Sequence, residues 1–238
     1  MTFYLPCLDN DEAFPSVDSA LAVPNGLLAF GGELSPARLL KAYQNGIFPW
    51  FSNEDPILWW SPNPRGVIKP QEFSPSKSLR KHLRRNELTI TLNQATKDVI
   101  QLCASTRSEE ETWITQQMID AYKALVDLHY CHSVEVWREN RLIGGLYGLK
   151  IGKVFCGESM FSLETNASKI AFWHLCDHLI QMGGELIDCQ MLNPHLEKLG
   201  VYEIPRKDFI KQLKSLQREE MQVDAFVPQI LTLQEQKS

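Results

Sequence analysis

The chain has 238 residues, of which 44% are hydrophobic and 22% are charged, and its formal net charge is -5. This composition is typical of a folded globular protein with a proper core, and it excludes a disordered or fibrous chain. The negative net charge also argues against a protein that coats nucleic acid through bulk electrostatics.

Targeting and redox signals are absent from the sequence. The N-terminus has no basic region followed by an apolar stretch, and no apolar run approaches the length of a membrane span, so we expect a cytoplasmic protein. The six cysteines form no C-x-x-C pair. We therefore expect reduced, mostly buried thiols, with no bound metal or cofactor.

The first predicted elements are a helix and an aromatic segment that follows it. The helix spans 35–45, with Ser35 as N-cap, Pro36 at the first helical position and Gly46 as its stop. Residues 46–65 then read GIFPWFSNEDPILWWSPNPR, with three tryptophans and four prolines. Because proline disrupts helices and central strands, we predict a rigid irregular segment whose rings either close a core or stack on a planar ligand.

A basic helix is predicted at 76–86. Its cations Lys77, Lys81, Arg84 and Arg85 fall on one helical face. Like charges at this spacing repel one another, so the face either binds a polyanion or is simply solvated.

The rest of the chain changes from helical to strand-rich. A strand at 88–92 precedes a helix that Asn93 is expected to cap, and Thr115 is expected to cap the next helix. Three consecutive strands, a helix at 166–182, a strand at 185–190 and two helices from Pro194 and Lys207 follow. We predict an α/β (α+β) fold with a smaller N-terminal domain at 1–65 and a mixed-sheet domain at 66–238 that includes the basic helix.

Two groups of polar residues are candidates for chemistry. Asp188 and Gln190 end a strand, and strand alternation predicts that they share a face, with Cys189 on the other. The Asp188 carboxylate could then accept a hydrogen bond from the Gln190 side-chain amide, and the Gln190 carbonyl could accept one from a substrate amine. Alternatively, the two residues only anchor a turn at the end of the strand. Glu158 lies among apolar residues and is either a site residue or a satisfied structural carboxylate. A Cys189 nucleophile with His195 is disfavoured because nothing nearby orients the histidine.

Nucleotide-binding signatures are missing. The chain has neither G-x-G-x-x-G after a strand nor G-x-x-x-x-G-K-[ST], which disfavours a kinase, an ATPase or a Rossmann dehydrogenase.

Several stretches in order resemble the leucyl/phenylalanyl-tRNA-protein transferase family. The resemblance runs from about residue 14 to 206, and its most specific runs are GIFPWF and WWSPNPR, supported by TWIT, CGESMF, NASK and LIDCQ. It implies a bacterial cytoplasmic enzyme whose second domain resembles the GNAT acyltransferase fold. Such an enzyme takes Leu or Phe from Leu-tRNA or Phe-tRNA and attaches it to the N-terminal Arg or Lys of a protein, which then enters the N-degron pathway.

The resemblance also assigns roles to residues of this chain. It implies that Asp188 and Gln190 form a catalytic relay and that Glu158 helps to hold the reactants. Trp50 and Trp113 would hold the 3′ end of the aminoacyl-tRNA, and the basic face of the helix at 76–86 would contact the tRNA body. The side-chain pocket for the transferred amino acid would be lined by Leu146, Phe155, Leu175 and Ile187. The family usually carries larger apolar residues at two of these positions, 146 and 175, which bears on the relative use of Leu and Phe.

Two other classes of function remain as alternatives. The second half would suit an acyl-CoA-dependent N-acyltransferase, although that fold normally cradles pyrophosphate with a Q/R-x-x-G-x-G/A turn, and residues 166–169 read NASK. A non-catalytic RNA- or peptide-binding module would also use exposed tryptophan and a basic helix, but it would leave Asp188 and Gln190 without a role.

Overall fold

A computed structural model of the chain describes residues 5–10, 12–106 and 114–233. Within these residues the strands form two sheets, which confirms the predicted α/β class. The smaller sheet has four short strands in the order β1-β2-β4-β3, with β1 and β2 parallel. These strands are β1 (Cys7–Leu8), β2 (Leu27–Gly31), β3 (Phe48–Pro49) and β4 (Leu58–Trp60). Helix α1 (Pro36–Tyr43) connects β2 to β3.

The larger sheet has eight strands in the order β11-β5-β10-β9-β8-β7-β6-β12. Its strands are β5 (Arg65–Ile68), β6 (Thr89–Leu92), β7 (Cys131–Arg138), β8 (Arg141–Ile151), β9 (Val154–Ser162), β10 (Leu186–Gln190), β11 (Tyr202–Ile204) and β12 (Gln229–Ile230). The pair β9/β10 is parallel and the other pairs are antiparallel, so the sheet is mixed as predicted. The predicted domain boundary between residues 65 and 66 stays a prediction.

Six further helices accompany this sheet in the described residues. They are α2 (Lys77–Arg85), α3 (Thr96–Ser105), α4 (Gln116–Asp127), α5 (Ala167–Met182), α6 (Pro194–Glu197) and α7 (Arg206–Leu216), and two 3₁₀ turns lie at Val17–Ser19 and Pro70–Glu72. Helix α5 contacts β7, β8 and β9, and α3 contacts the same three strands. The apolar residues divide into two buried clusters, one containing residues of α3 and the other residues of α5. The central strands therefore contribute side chains to two cores.

The capping signals were mostly read correctly. The Ser35 and Thr115 hydroxyls accept hydrogen bonds from the amides of Arg38 and Met118, so both predicted N-caps are confirmed. The predicted Asn93 cap is wrong, because Ala95 occupies the N-cap of α3 without a side-chain bond. Asn93 has a positive φ of 57°, and its amide binds the Ser133 N–H and the Phe226 carbonyl instead.

The aromatic segment at 46–65 is more regular than predicted. It contains β3 and β4 and ends in the first residue of β5, so the expectation of a wholly irregular segment is wrong. Prolines are tolerated because these strands are very short and Pro49 lies in β3, an edge strand. Trp59 and Trp60 are buried, and their indole N–H groups donate to the carbonyls of Gly31 and Trp50 at 2.9 and 2.6 Å.

Two further expectations concern the thiols and the membrane. Cys7 is exposed, the other five cysteines are buried, and all six are free thiols, as predicted. In the parts of the chain that the structure describes, no helix has both the length and the apolar character needed to cross a bilayer.

Candidate functional site

A cavity lies where the pairing of two central strands of the larger sheet ends. Strands β9 and β10 pair through Leu186, Ile187 and Asp188, and this pairing ends at Asp188 opposite Cys156. Residues just beyond that point on both strands line a cavity of about 600 Å³. The end of the paired region of the sheet therefore forms one wall of a concave site that could hold a ligand.

The cavity brings together seven of the predicted site residues. They are Trp50, Leu146, Phe155, Glu158, Leu175, Ile187 and Gln190. The four residues predicted to line the amino-acid pocket come from β8, β9, α5 and β10, which are far apart in the sequence and adjacent in the fold. Among the predicted site residues, the cavity therefore joins an apolar wall to two polar side chains, Glu158 and Gln190.

Among the described residues that line the cavity, Glu158 alone has an acidic side chain. Its carboxylate is only 7% exposed, and it accepts hydrogen bonds from the Tyr122 hydroxyl at Oε2 and from the Gln190 amide nitrogen at Oε1, both at 2.8 Å. Burial raises the pKa of Glu158 to about 7. Hydrogen bonds from nearby tyrosine hydroxyls lower this pKa, and the negative charge of Asp188 raises it. A carboxyl with this pKa exchanges protons readily at neutral pH.

Asp188 does not line the cavity, because it is held in a buried ion pair. The Arg65 guanidinium donates two hydrogen bonds to the Asp188 carboxylate, from Nε to Oδ1 and from Nη2 to Oδ2, both at 2.7 Å. Both side chains are at most 1% exposed. The guanidinium carbon lies 4.9 Å from the ring centroid of Phe48 and 4.6 Å from that of Phe209, and Nη1 donates to the Gly46 carbonyl at 3.1 Å. Burial alone would lower the pKa of Arg65, but the adjacent carboxylate outweighs that effect and raises it.

The predicted hydrogen bond between the side chains of Asp188 and Gln190 is wrong. Asp188 Oδ1 accepts from the backbone N–H of Gln190 at 3.0 Å, whereas the Gln190 amide nitrogen donates to Glu158. The cause is local backbone geometry: the pairing register with β5 shifts between Asp188 and Gln190, and Gln190 has a positive φ of 58°. The irregularity breaks the strand alternation, so Gln190 faces the cavity and Asp188 does not.

Cys189 lines the cavity, but its chemistry is that of a packed thiol. Burial raises the pKa of Cys189 far above its ordinary value, with a further contribution from the Asp188 charge. The side chain therefore stays protonated at neutral pH. Within the described residues, no cluster of three or more His, Cys, Asp or Glu side chains could hold a metal ion.

The remaining predicted site residues lie apart from the cavity or outside the described residues. Trp113 lies outside them. The side chains of Lys77, Lys81, Arg84 and Arg85 are exposed on α2 and do not contribute to the cavity. The salt bridges found among the described residues do not involve these four cations.

Three residues that contact the site were missed by the sequence analysis, namely Arg65, Tyr43 and Tyr122. Both tyrosines lie among apolar residues of amphipathic helices, and the sequence gives no sign of their hydroxyl partners, which come from distant elements. Arg65 ends the WWSPNPR run, and its burial could not be read from the sequence because arginine is usually exposed.

The cavity combines an apolar wall with one buried carboxyl of strongly shifted pKa, beside a mixed β-sheet. This combination is typical of an enzyme that holds an apolar group next to a proton acceptor. Comparison with known proteins identifies the family. The chain matches the sequence profile described as "Leucyl/phenylalanyl-tRNA protein transferase" over residues 67–214, and that of the N-terminal domain of the same family over residues 32–63. The chain therefore belongs to the leucyl/phenylalanyl-tRNA-protein transferase family.

Individual relatives agree with this assignment over nearly their full length. The leucyl/phenylalanyl-tRNA-protein transferase of Aliivibrio fischeri strain MJ11 is 60% identical over 233 residues, which cover 97% of this chain and 98% of the relative. The transferase of Photobacterium profundum is 58% identical over 234 residues, with 98% and 99% covered. Among solved structures, L-PGS from Bacillus licheniformis shows a distant similarity, with 8% identity, 70% of this chain and 54% of that chain covered, and a TM-score of 0.39.

The raised pKa of Glu158 predicts a pH-dependent effect of the substitution Glu158→Gln on stability. Below about pH 4.5 the carboxyl is neutral in both the folded and the unfolded chain. Between about pH 4.5 and 7 the carboxyl is ionised in the unfolded chain but still neutral in the folded chain. The wild type therefore loses roughly 3 kcal/mol of its free energy of unfolding over this range, and the Gln variant does not. Urea unfolding at pH 4 and pH 8 should show the variant gaining roughly this much relative to wild type.

Glu164→Gln is a matched control of opposite sign. Partial burial raises the pKa of Glu164, but Arg138 and Arg141 outweigh that effect and lower it. The stability from this ionised group is present above the unfolded pKa and is lost at lower pH, so Glu164→Gln should cost more at pH 8 than at pH 4. A stability difference for Glu158→Gln that is the same at both pH values would contradict the assigned pKa.

Proposed function

We propose that this protein transfers Leu or Phe from aminoacyl-tRNA to the N-terminal Arg or Lys of acceptor proteins in the cytoplasm, and so marks them for N-degron degradation. The observation that carries this proposal is the joining, in one cavity, of an apolar wall and a buried carboxyl whose pKa is about 7. The chain belongs to the transferase family, and the geometry of the cavity suits the reaction for which that family is named.

The apolar wall formed by Leu146, Phe155, Leu175 and Ile187 suits the Leu or Phe side chain. Such a wall disfavours polar side chains because they would lose hydration without gaining hydrogen bonds. Trp50 lies at the same cavity with its ring edge-on to Trp60 at a centroid distance of 5.3 Å. We infer that Trp50 stacks against the 3′-terminal adenosine and that Trp113 assists it.

The donor ester is already activated, so the protein has to align the two reactants and manage protons. We propose that the Glu158 carboxylate takes a proton from the α-ammonium group of the acceptor. The neutral amine then attacks the ester carbonyl carbon, the C–N bond forms and the bond to the ribose oxygen breaks. A second proton passes from nitrogen to the departing ribose oxygen, and the products are a peptide bond and free tRNA.

Gln190 and Asp188 have supporting roles in this scheme. The Gln190 amide nitrogen binds Glu158 Oε1, and its carbonyl oxygen has no hydrogen-bond partner among the described residues. That oxygen is therefore suited to accept from the attacking amine. Asp188 acts on the backbone of Gln190, so its role is to position the amide rather than to polarise it.

The transfer proposal is tested with radiolabelled Leu-tRNA and a peptide that begins with Arg. We expect label in the wild-type peptide product without added CoA. Glu158→Gln should lower transfer at least about 100-fold, because general bases contribute about 10² to 10⁴ in rate. Binding of Leu-tRNA by the same variant should change little.

Each competing function gives a different result in this assay. Labelling that requires CoA would identify an acyl-CoA-dependent enzyme, and tRNA binding without transfer would identify a binding module. Near-normal transfer by Glu158→Gln would leave the family function intact and place the proton acceptor elsewhere.

We propose that the basic face of α2 binds the phosphates of the tRNA body. The four exposed cations Lys77, Lys81, Arg84 and Arg85 support this role because a concentrated basic face attracts a polyanion. Changing all four to Gln should weaken tRNA binding. The slope of log K against log salt should become shallower by about one unit for each cation that contacts a phosphate.

A triple variant on another exposed helix face provides the control. Lys207, Lys211 and Lys214 on α7 are exposed, and their change to Gln should leave the salt slope near the wild-type value. Equal changes in both variants would mean that the attraction is spread over the surface, which contradicts a tRNA site on α2.

A further inference from the structure

Two buried tyrosines form a hydrogen-bonded chain behind the candidate base. The Tyr122 hydroxyl donates to Glu158 Oε2 at 2.8 Å, and the Tyr43 hydroxyl is hydrogen-bonded to the Tyr122 hydroxyl. Both side chains are at most 1% exposed. We refer to Tyr43 and Tyr122 as the buried tyrosine pair.

The buried tyrosine pair and Glu158 connect three separate elements of the fold. Tyr43 is the last residue of α1, Tyr122 lies in α4, and Glu158 lies in β9. Tyr122 is further fixed by an edge-on ring contact with Tyr147 of β8, with centroids 5.7 Å apart. Helices α1 and α4 also contact each other, so neither hydroxyl can turn away without disturbing the packing.

Packing alone does not require these hydroxyl groups. A buried hydroxyl has a cost in free energy unless it is hydrogen-bonded, and phenylalanine would fill nearly the same volume without that cost. Among the described residues, the hydrogen-bond partners of this pair are each other and Glu158. The hydroxyls are therefore directed at the carboxylate.

We propose that the buried tyrosine pair are positioning residues for the transfer reaction, which fix the Glu158 carboxylate toward Gln190 and stabilise its anionic form. This inference rests on the proposed role of Glu158 as proton acceptor. Neither tyrosine lines the cavity, so the pair acts through Glu158. With Oε2 held by Tyr122 and Oε1 by Gln190, the carboxylate keeps one orientation at the cavity.

The ionisable groups around Glu158 determine the sign of the effect. Burial and the Asp188 charge raise the pKa of Glu158, and hydrogen bonds from Tyr43, Tyr122 and Gln190 lower it. Burial raises the pKa of both tyrosines, with the Glu158 charge adding to it, so the hydroxyls remain protonated. Among the described residues, the Cys131 thiol of β7, the Cys156 thiol of β9, Tyr147 of β8 and the Arg65 guanidinium of β5 also interact electrostatically with Glu158 or with one of the two tyrosines. Burial raises the pKa of both thiols, which therefore stay neutral.

The test is the pH profile of transfer from Leu-tRNA to an Arg-starting peptide for Tyr122→Phe. Loss of a hydrogen bond to an anion should move the acid limb of the profile up by about 1 pH unit. Transfer should fall about 10-fold at pH 6 and recover to within about twofold of wild type at pH 9. Tyr43→Phe should give a smaller shift in the same direction.

A measurement without turnover separates positioning from general damage. Carbon-13 NMR titration of the Glu158 carboxyl, assigned by its absence in Glu158→Gln, should show the same upward shift in Tyr122→Phe. The matched control is Tyr130→Phe, the same change at a half-exposed tyrosine beyond α4, for which neither the profile nor the titration should move.

Three outcomes distinguish the possible failures. A folded Tyr122→Phe protein whose transfer falls equally at every pH, with an unmoved NMR titration, would overturn the positioning role. A shifted titration with an unmoved activity profile would overturn it as well, because the pair would then not act on catalysis. Absence of transfer by the wild type would instead reject the proposed function, whatever the titration shows.

Discussion

The buried ion pair between Arg65 and Asp188 is the interaction on which the geometry of the site depends. Arg65 begins β5, and its guanidinium reaches both Asp188 on β10 and the carbonyl of Gly46 after α1. A desolvated charge pair of this kind is tolerated only when nearly all its hydrogen-bonding capacity is used. The pair thus fixes the end of α1, which carries Tyr43, relative to the strand that carries Gln190.

This ion pair affects the position of Glu158, the candidate base, in two ways. Asp188 Oδ1 accepts from the Gln190 N–H and so supports the positive φ that directs the Gln190 amide at Glu158. At the other side, the ordered end of α1 brings the Tyr43 hydroxyl to Tyr122 and hence to the same carboxylate. Glu158 is therefore held from both sides in a setting dry enough to raise its pKa to about 7. The two acidic residues thus have different surroundings, because Asp188 is paired with Arg65 and Glu158 faces the cavity.

Local signals in the sequence predicted the elements better than they predicted the site. The N-caps Ser35 and Thr115 could be predicted because capping depends on a few adjacent residues. The relation of Asp188 to Gln190 was misread because regular alternation does not hold across a bulge, and nothing in the residues DCQ reveals one. The apolar wall at Leu146, Phe155, Leu175 and Ile187 came from family resemblance alone. The partners of Glu158 could not be predicted, because Tyr43 and Tyr122 reach it only through the packing of α1 and α4.

The central claim is that Asp188 positions Gln190 while Glu158 handles the proton, and the pH profile of transfer by Asp188→Asn tests it most directly. The measurement uses Leu-tRNA and an Arg-starting peptide, at a temperature where circular dichroism shows the variant folded. We expect reduced transfer with an acid limb that is kept and moves to lower pH, because the Asp188 charge no longer raises the pKa of Glu158. A folded Asp188→Asn protein without transfer at any pH, beside an active Glu158→Gln protein, would contradict it and assign the chemistry to Asp188.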